Sequence, residues 1–133
     1  MTDSLQDRMR ERVQDGMESM NRGYEAWLKQ CDITYEPDAH YNVYGRRLPM
    51  REYQDAVRHQ YSVNDIKLGE MYNMLTESDW LAMRYSLHFT NKETGEKSEQ
   101  MTMEFVHFKD NPQPIGARVI EGWVGVVEPT PRA

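Results

Sequence analysis

The sequence predicts an α+β domain, with its helices gathered on one face of a curved, mostly antiparallel sheet. Apolar residues in the first half recur at steps of three and four, as on one side of a helix. From about residue 65 the period falls to two, and the turn signals that follow mark off four strands in succession. Helices first and strands later is the order of an α+β fold rather than of a parallel α/β one.

The first helix begins at Leu5 and buries Leu5, Met9, Val13, Met17 and Met20, with Arg8, Arg10, Glu11, Arg12, Asp15 and Glu18 opposite. Asn21-Arg22-Gly23 breaks it, since Gly accepts the left-handed conformation that ends helices. A second helix covers Tyr24 to about Gln30, and Glu36-Pro37-Asp38 reads as a turn. "AHYNVYG" is a short strand closed by Gly45, and Met50, Tyr53, Val57 and Tyr61 mark a third helix. The strands 65–75, 80–90, 98–108 and 117–127 then form a meander, joined by a turn at 76–79, a hairpin loop at 91–97 and a loop with two prolines, "KDNPQPIG". One domain over 1–127 and a C-terminal tail over 128–133 account for the 133 residues.

Charge narrows the partners. The 22 acidic against 16 basic residues give a formal charge of −6. No Lys or Arg run exceeds a pair, which argues against nucleic acid and anionic membranes. No apolar run approaches the roughly 20 residues that span a bilayer. The charged N-terminus lacks an apolar signal segment, so a cytoplasmic location is expected. Cys31 is the single cysteine, too far from any evident base to act as a nucleophile. His40, His59, His88 and His107 lack zinc-site spacing, so no metal is expected.

Chemistry-bearing residues cluster in the strands. Alternation puts Arg84, Ser86 and His88 on one side of their strand, and Met83, Tyr85, Leu87 and Phe89 on the other. In the next strand it separates Gln100, Thr102 and Glu104 from Met101, Met103, Phe105 and His107. If Arg84, His88 and Glu104 share a pocket, His88 can exchange a proton near neutrality, Glu104 can orient it, and Arg84 can hold an anionic oxygen. If that face is wet, the three form a cross-strand ion pair and the apolar face covers the helices. In "RVIEGWVGVV" Glu121 and Trp123 share one side, and Trp123 reads as a packing residue at a dimer seam.

Several stretches resemble the nuclear-transport-factor-2-like superfamily, in its SnoaL-like and ketosteroid-isomerase-like branches. "MNRGYEAWL" is similar to the family's break between its first two helices, with Tyr24 where Asp is usual. "YEPDAHYNVYG", "REYQDAVRHQY" and "FVHFKDNPQPIGARVIEGWV" resemble its first strand, third helix and final hairpin. The resemblance implies a cone-shaped domain of the cystatin-like type, with a pocket between sheet and helices. It implies that Arg84, His88 and Glu104 point into the cone, joined by Trp27, His40, Asn42, Tyr53, Val57, Ser86, Val106 and Val124 in the pocket wall. Val106 and Val124 stand where isomerases and cyclases carry an acid, whereas Arg84-x-Ser86 and His40-x-Asn42 resemble motifs of limonene-epoxide hydrolases. The other sheet face, with Tyr85, Leu87, Met103, Phe105 and Trp123, would form a homodimer interface. The implied function is cofactor-independent isomerase, dehydratase or cyclase chemistry on a small apolar carbonyl or polyketide-like compound. The alternative is a non-catalytic ligand-binding or dimerisation domain, because the family's aspartates are missing.

Overall fold

The computed structural model describes residues 4–127. The tail expected over 128–133 lies outside the described residues. Helix α1 (Leu5–Ser19), a 3₁₀ turn (Met20–Arg22) and helix α2 (Tyr24–Thr34) come first. Strands β1 (Tyr35–Val43) and β2 (Arg46–Pro49) then lead into helix α3 (Met50–Val63). Strands β3 (Asn64–Glu77), β4 (Trp80–Asn91), β5 (Lys97–Asp110) and β6 (Ala117–Val127) complete the fold. They form one six-stranded sheet in the order β2-β1-β6-β5-β4-β3, antiparallel except where β1 runs parallel to β6.

Two elements differ from the expectation. Glu36-Pro37-Asp38 belongs to β1 rather than to a turn. β2 pairs only with His40 to Val43, and the β1–β6 register shifts between Tyr35 and His40, so Pro37 sits where no ladder needs its missing N–H. The second is β2 itself, which follows a tight turn at Tyr44 and Gly45, both with positive φ.

α1 is tied across the sheet at several points. Ser4 caps it by accepting from Asp7 N at 3.0 Å. Gln6 donates to Ser78 O, Arg8 pairs with Asp110 at 2.9 Å, and Arg12 donates to the carbonyls of Ile115 and Ala117. In the core Met9, Leu81, Phe108, Ala117 and Val119 are almost fully buried. Burying one such side chain contributes about 1.5–3 kcal/mol. At the junction of α1 and α2, Asn21 clamps the edge strand β3: its Oδ1 accepts from Leu68 N at 2.6 Å and its carbonyl from Lys67 Nζ at 2.7 Å.

Candidate functional site

Between the sheet and the helices lies a cavity of about 340 Å³, lined in part by Val13 and Met17 of α1. α2 and α3 supply Trp27, Tyr53 and Val57 to its wall, β1 supplies Tyr41, β4 supplies Met83, Tyr85 and Leu87, and β6 supplies Val124. Tyr44, Gln100, Gly125 and Val126 also line it. The aromatic side is a chain of contacts. Tyr41 and Tyr53 stack at 4.3 Å with planes 12° apart, Tyr35 meets Tyr41 edge-on at 5.7 Å, and Trp27 meets Tyr53 edge-on at 5.9 Å.

One carboxyl stands in this apolar wall. Glu104, 7% exposed, faces inward from β5 between Thr102 and Val106. Tyr41 Oη donates to its Oε2 at 2.7 Å, and Tyr85 Oη donates to its Oε1. Burial raises the Glu104 pKa above the ordinary glutamate value, although both tyrosine hydrogen bonds act the other way. Burial likewise holds the phenols of Tyr35, Tyr41, Tyr53 and Tyr85 well above their usual range. The Cys31 thiol, also in the wall, is pushed up to about 12 by burial. The lining therefore sets a carboxyl, its pKa raised by burial, among neutral hydroxyls.

Arg84 and His88 do not join Glu104. The β4–β5 register pairs Met83 with Glu104, Arg84 with Met103 and His88 with Glu99, so Glu104 shares its face with Met83 and Tyr85. Arg84 lies on the outer face, exposed, where its Nε donates to Asn73 Oδ1 at 2.9 Å and its guanidinium sits 5.1 Å from the Tyr72 ring centroid. His88 is exposed on the same face. Ser86 is buried, but beneath the irregular part of β3, where its Oγ accepts from Glu70 N at 3.0 Å and crowds Gly69. His40 and Asn42 point away from the cavity as well, because Tyr41 between them points in. Asn42 Nδ2 donates to Glu121 Oε2 at 2.8 Å.

The same register corrects the proposed interface set. Tyr85 and Leu87 are buried in the cavity wall, whereas Met103, Phe105 and Trp123 are exposed on the outer face. Trp80 joins them, 5.8 Å from Trp123 and 6.2 Å from Phe105 between ring centroids. On its other side Trp80 stacks on His107 at 4.0 Å, and His107 Nε2 lies 2.9 Å from Asp79 Oδ2. The sequence reading does not single out Tyr41, Asp79 or Trp80, and it places His107 on the apolar face. The available signal for the site was Glu104 itself, a lone carboxylate in the interior of "TMEFV".

No protein-family model and no curated protein matches the chain. Solved structures do. A candidate SnoaL-like polyketide cyclase from Jannaschia sp. CCS1 superposes with a TM-score of 0.77 at 11% identity, covering 95% of this chain and 90% of that one. IdmH from Streptomyces antibioticus, a candidate polyketide cyclase, gives 0.74 at 14% identity over 89% and 91%. A SnoaL-like polyketide cyclase from Agrobacterium tumefaciens C58 gives 0.70 at 16% identity over 96% and 94%. With three helices packed on a curled six-stranded sheet, the chain has the nuclear-transport-factor-2-like fold, in the form shared with SnoaL-like proteins.

Proposed function

We propose that the chain is a small-molecule-pocket protein that performs cofactor-independent acid–base chemistry on a compact, apolar carbonyl or polyketide-like compound. The observation that carries this reading is the Glu104 carboxyl, buried in an apolar cavity between the hydroxyls of Tyr41 and Tyr85. Its volume of about 340 Å³ suits a ligand of one or two rings. The Glu104 carboxylate takes a proton from the carbon next to the carbonyl of a bound ligand, and burial, which raises its pKa, makes it a better base for that step. The C–H electron pair passes into the enolate, and the proton now held on Glu104 is returned to the ligand at another atom; such a transfer is the first step common to isomerisation, dehydration and cyclisation.

A second reading is binding without turnover. It is favoured by the absence of any second carboxylate or imidazole from the cavity wall among the described residues.

2-Tetralone separates the two readings. Binding is read by tryptophan fluorescence, and exchange of its α-hydrogens in D₂O by NMR. The catalytic reading expects accelerated exchange that Glu104→Gln lowers roughly 10²-fold. Binding without accelerated exchange selects the second reading, and no binding overturns both.

We further propose a homodimer through the outer face of β4, β5 and β6. Trp80, Met103, Phe105 and Trp123 form a contiguous apolar patch there, with Met103 and Phe105 more than half exposed at 53% and 54%. A two-fold contact through such a patch is the commonest arrangement of soluble oligomers.

A further inference from the structure

We propose that the Glu104 pocket also takes compact aryl-alkyl ammonium ions, held by the Glu104 carboxylate and the aromatic wall beside it. This rests on the reading that the cavity is a ligand site, and on no turnover there.

The hydrogen-bond frame is the first ground. Tyr41 and Tyr85 each direct a hydroxyl donor at a different oxygen of Glu104. A carboxylate accepts at both oxygens at once. A neutral acid must keep a proton on one of them, so the frame fits the ionised group better.

Charge balance is the second. A buried carboxyl either takes up a proton or, when ionised, is stabilised by a positive charge beside it. Among the described residues the cavity wall contains no Lys, Arg or His. The titratable groups that face Glu104 are Tyr41 and Tyr35 from β1, Tyr85 from β4 and Tyr53 from α3, with the Cys31 thiol of α2 behind Tyr35. All are held neutral by burial, and β6 presents Val124 opposite Glu104. The protein frames a carboxylate and leaves its counter-charge to the ligand.

The third ground is the wall. Tyr35, Tyr41, Tyr53 and Trp27 form a continuous aromatic surface next to the carboxyl. An alkylammonium ion against aromatic rings gains an electrostatic attraction that an uncharged isostere lacks. The chain's net charge of −6 draws cations and repels anions at long range.

The test compares benzyltrimethylammonium with its uncharged isostere neopentylbenzene, by calorimetry on the full chain. The ammonium ion is expected to bind at least about tenfold more tightly. Its affinity should rise with pH as Glu104 ionises and then level off, while that of neopentylbenzene stays flat. Glu104→Gln should abolish the preference, bringing the two affinities within about twofold of each other. If that variant does not fold, the pH profile of the unmodified protein decides. Equal affinity of the two probes, or a pH-independent preference, overturns the cation inference and leaves the pocket reading standing. Failure of both probes to bind overturns the pocket reading with it.

Discussion

The ring of Tyr41 lies against the backbone of Gly122, so close that a Cβ there would come within 2.4 Å of it. On its other side the ring stacks on Tyr53. This is the use of the glycine in "EGW": it leaves room for the phenol that reaches Glu104, while Glu121 and Trp123 point outward. Gly122→Ala should cost about 1–3 kcal/mol by overpacking. Gly125→Ala, where a Cβ would meet nothing within 4 Å, should be close to neutral. Urea denaturation of the two variants checks this, and equal losses would show that Tyr41 is not wedged.

Stability should depend on pH through Glu104. Its folded-state pKa is raised by burial above the ordinary value of 4.5. The folded protein therefore holds this proton more tightly than the unfolded chain does. The associated stability is full below the ordinary value, falls as pH rises toward the raised one, and is level above it. Relative to the unmodified protein, the melting temperature of Glu104→Gln should climb over that window. A constant difference would mean that Glu104 titrates as it does in the unfolded chain.

Asp79 works in the opposite direction. Its hydrogen bond with His107 holds its carboxyl below the usual range of about 3.8. That contribution is present above the ordinary value and is lost as pH falls through the depressed one. In His107→Gln the NMR titration of Asp79 should move up toward the ordinary value. An unmoved titration would assign the depression to the turn backbone and Ser78 rather than to the imidazole.

The outer-face patch makes a prediction about mass. Light scattering at micromolar concentration should give twice the chain mass, and Trp123→Ala should shift the protein toward monomer. Truncating a central aromatic residue of an interface costs about 2 kcal/mol or more. A single-chain mass for the unmodified protein would remove the dimer.

Cys31 should be inert in the folded protein. Buried and pushed up to about 12, its thiol has almost no thiolate at pH 8. Iodoacetamide should label it only after unfolding, by mass spectrometry. Rapid labelling of the native protein would mean that the cavity opens far more often than its packing implies.

Much of the fold was legible because its signals are local. The stripe Leu5, Met9, Val13, Met17 and the turn residues between strands depend on neighbours a few positions apart. The site depended on register. With the hairpin loop read as 91–97, residue 90 faces 98, and Arg84 and His88 share a side with Glu104. In the structure Asn91 extends β4, its Oδ1 accepting from Glu93 N and Thr94 N at 2.9 Å, and Thr90 faces Lys97. That shift of one residue swaps the faces, because side chains alternate with a period of two. Glu104 lies in a strand interior and in the cavity wall, whereas Arg84 and His88, read beside it from the sequence, lie on the other face. Nothing local in the sequence links Tyr41 to Glu104 across 63 positions.

The clamp that Asn21 places on Leu68 has a consequence for how copies of this chain can associate. β3 is a long strand at the sheet's border, the kind of edge that invites a neighbour's strand to pair with it. Asn21 occupies one of its ladder donors, Lys67 is tied to the same residue, and the register irregularities between Leu68 and Asn73 bend the strand away from a straight template. The opposite border is β2, four residues long, carrying Arg46 and Arg47 and ending in Pro49. Both borders are thus poor partners for cross-strand growth, which disfavours fibre-like aggregation through the sheet margins.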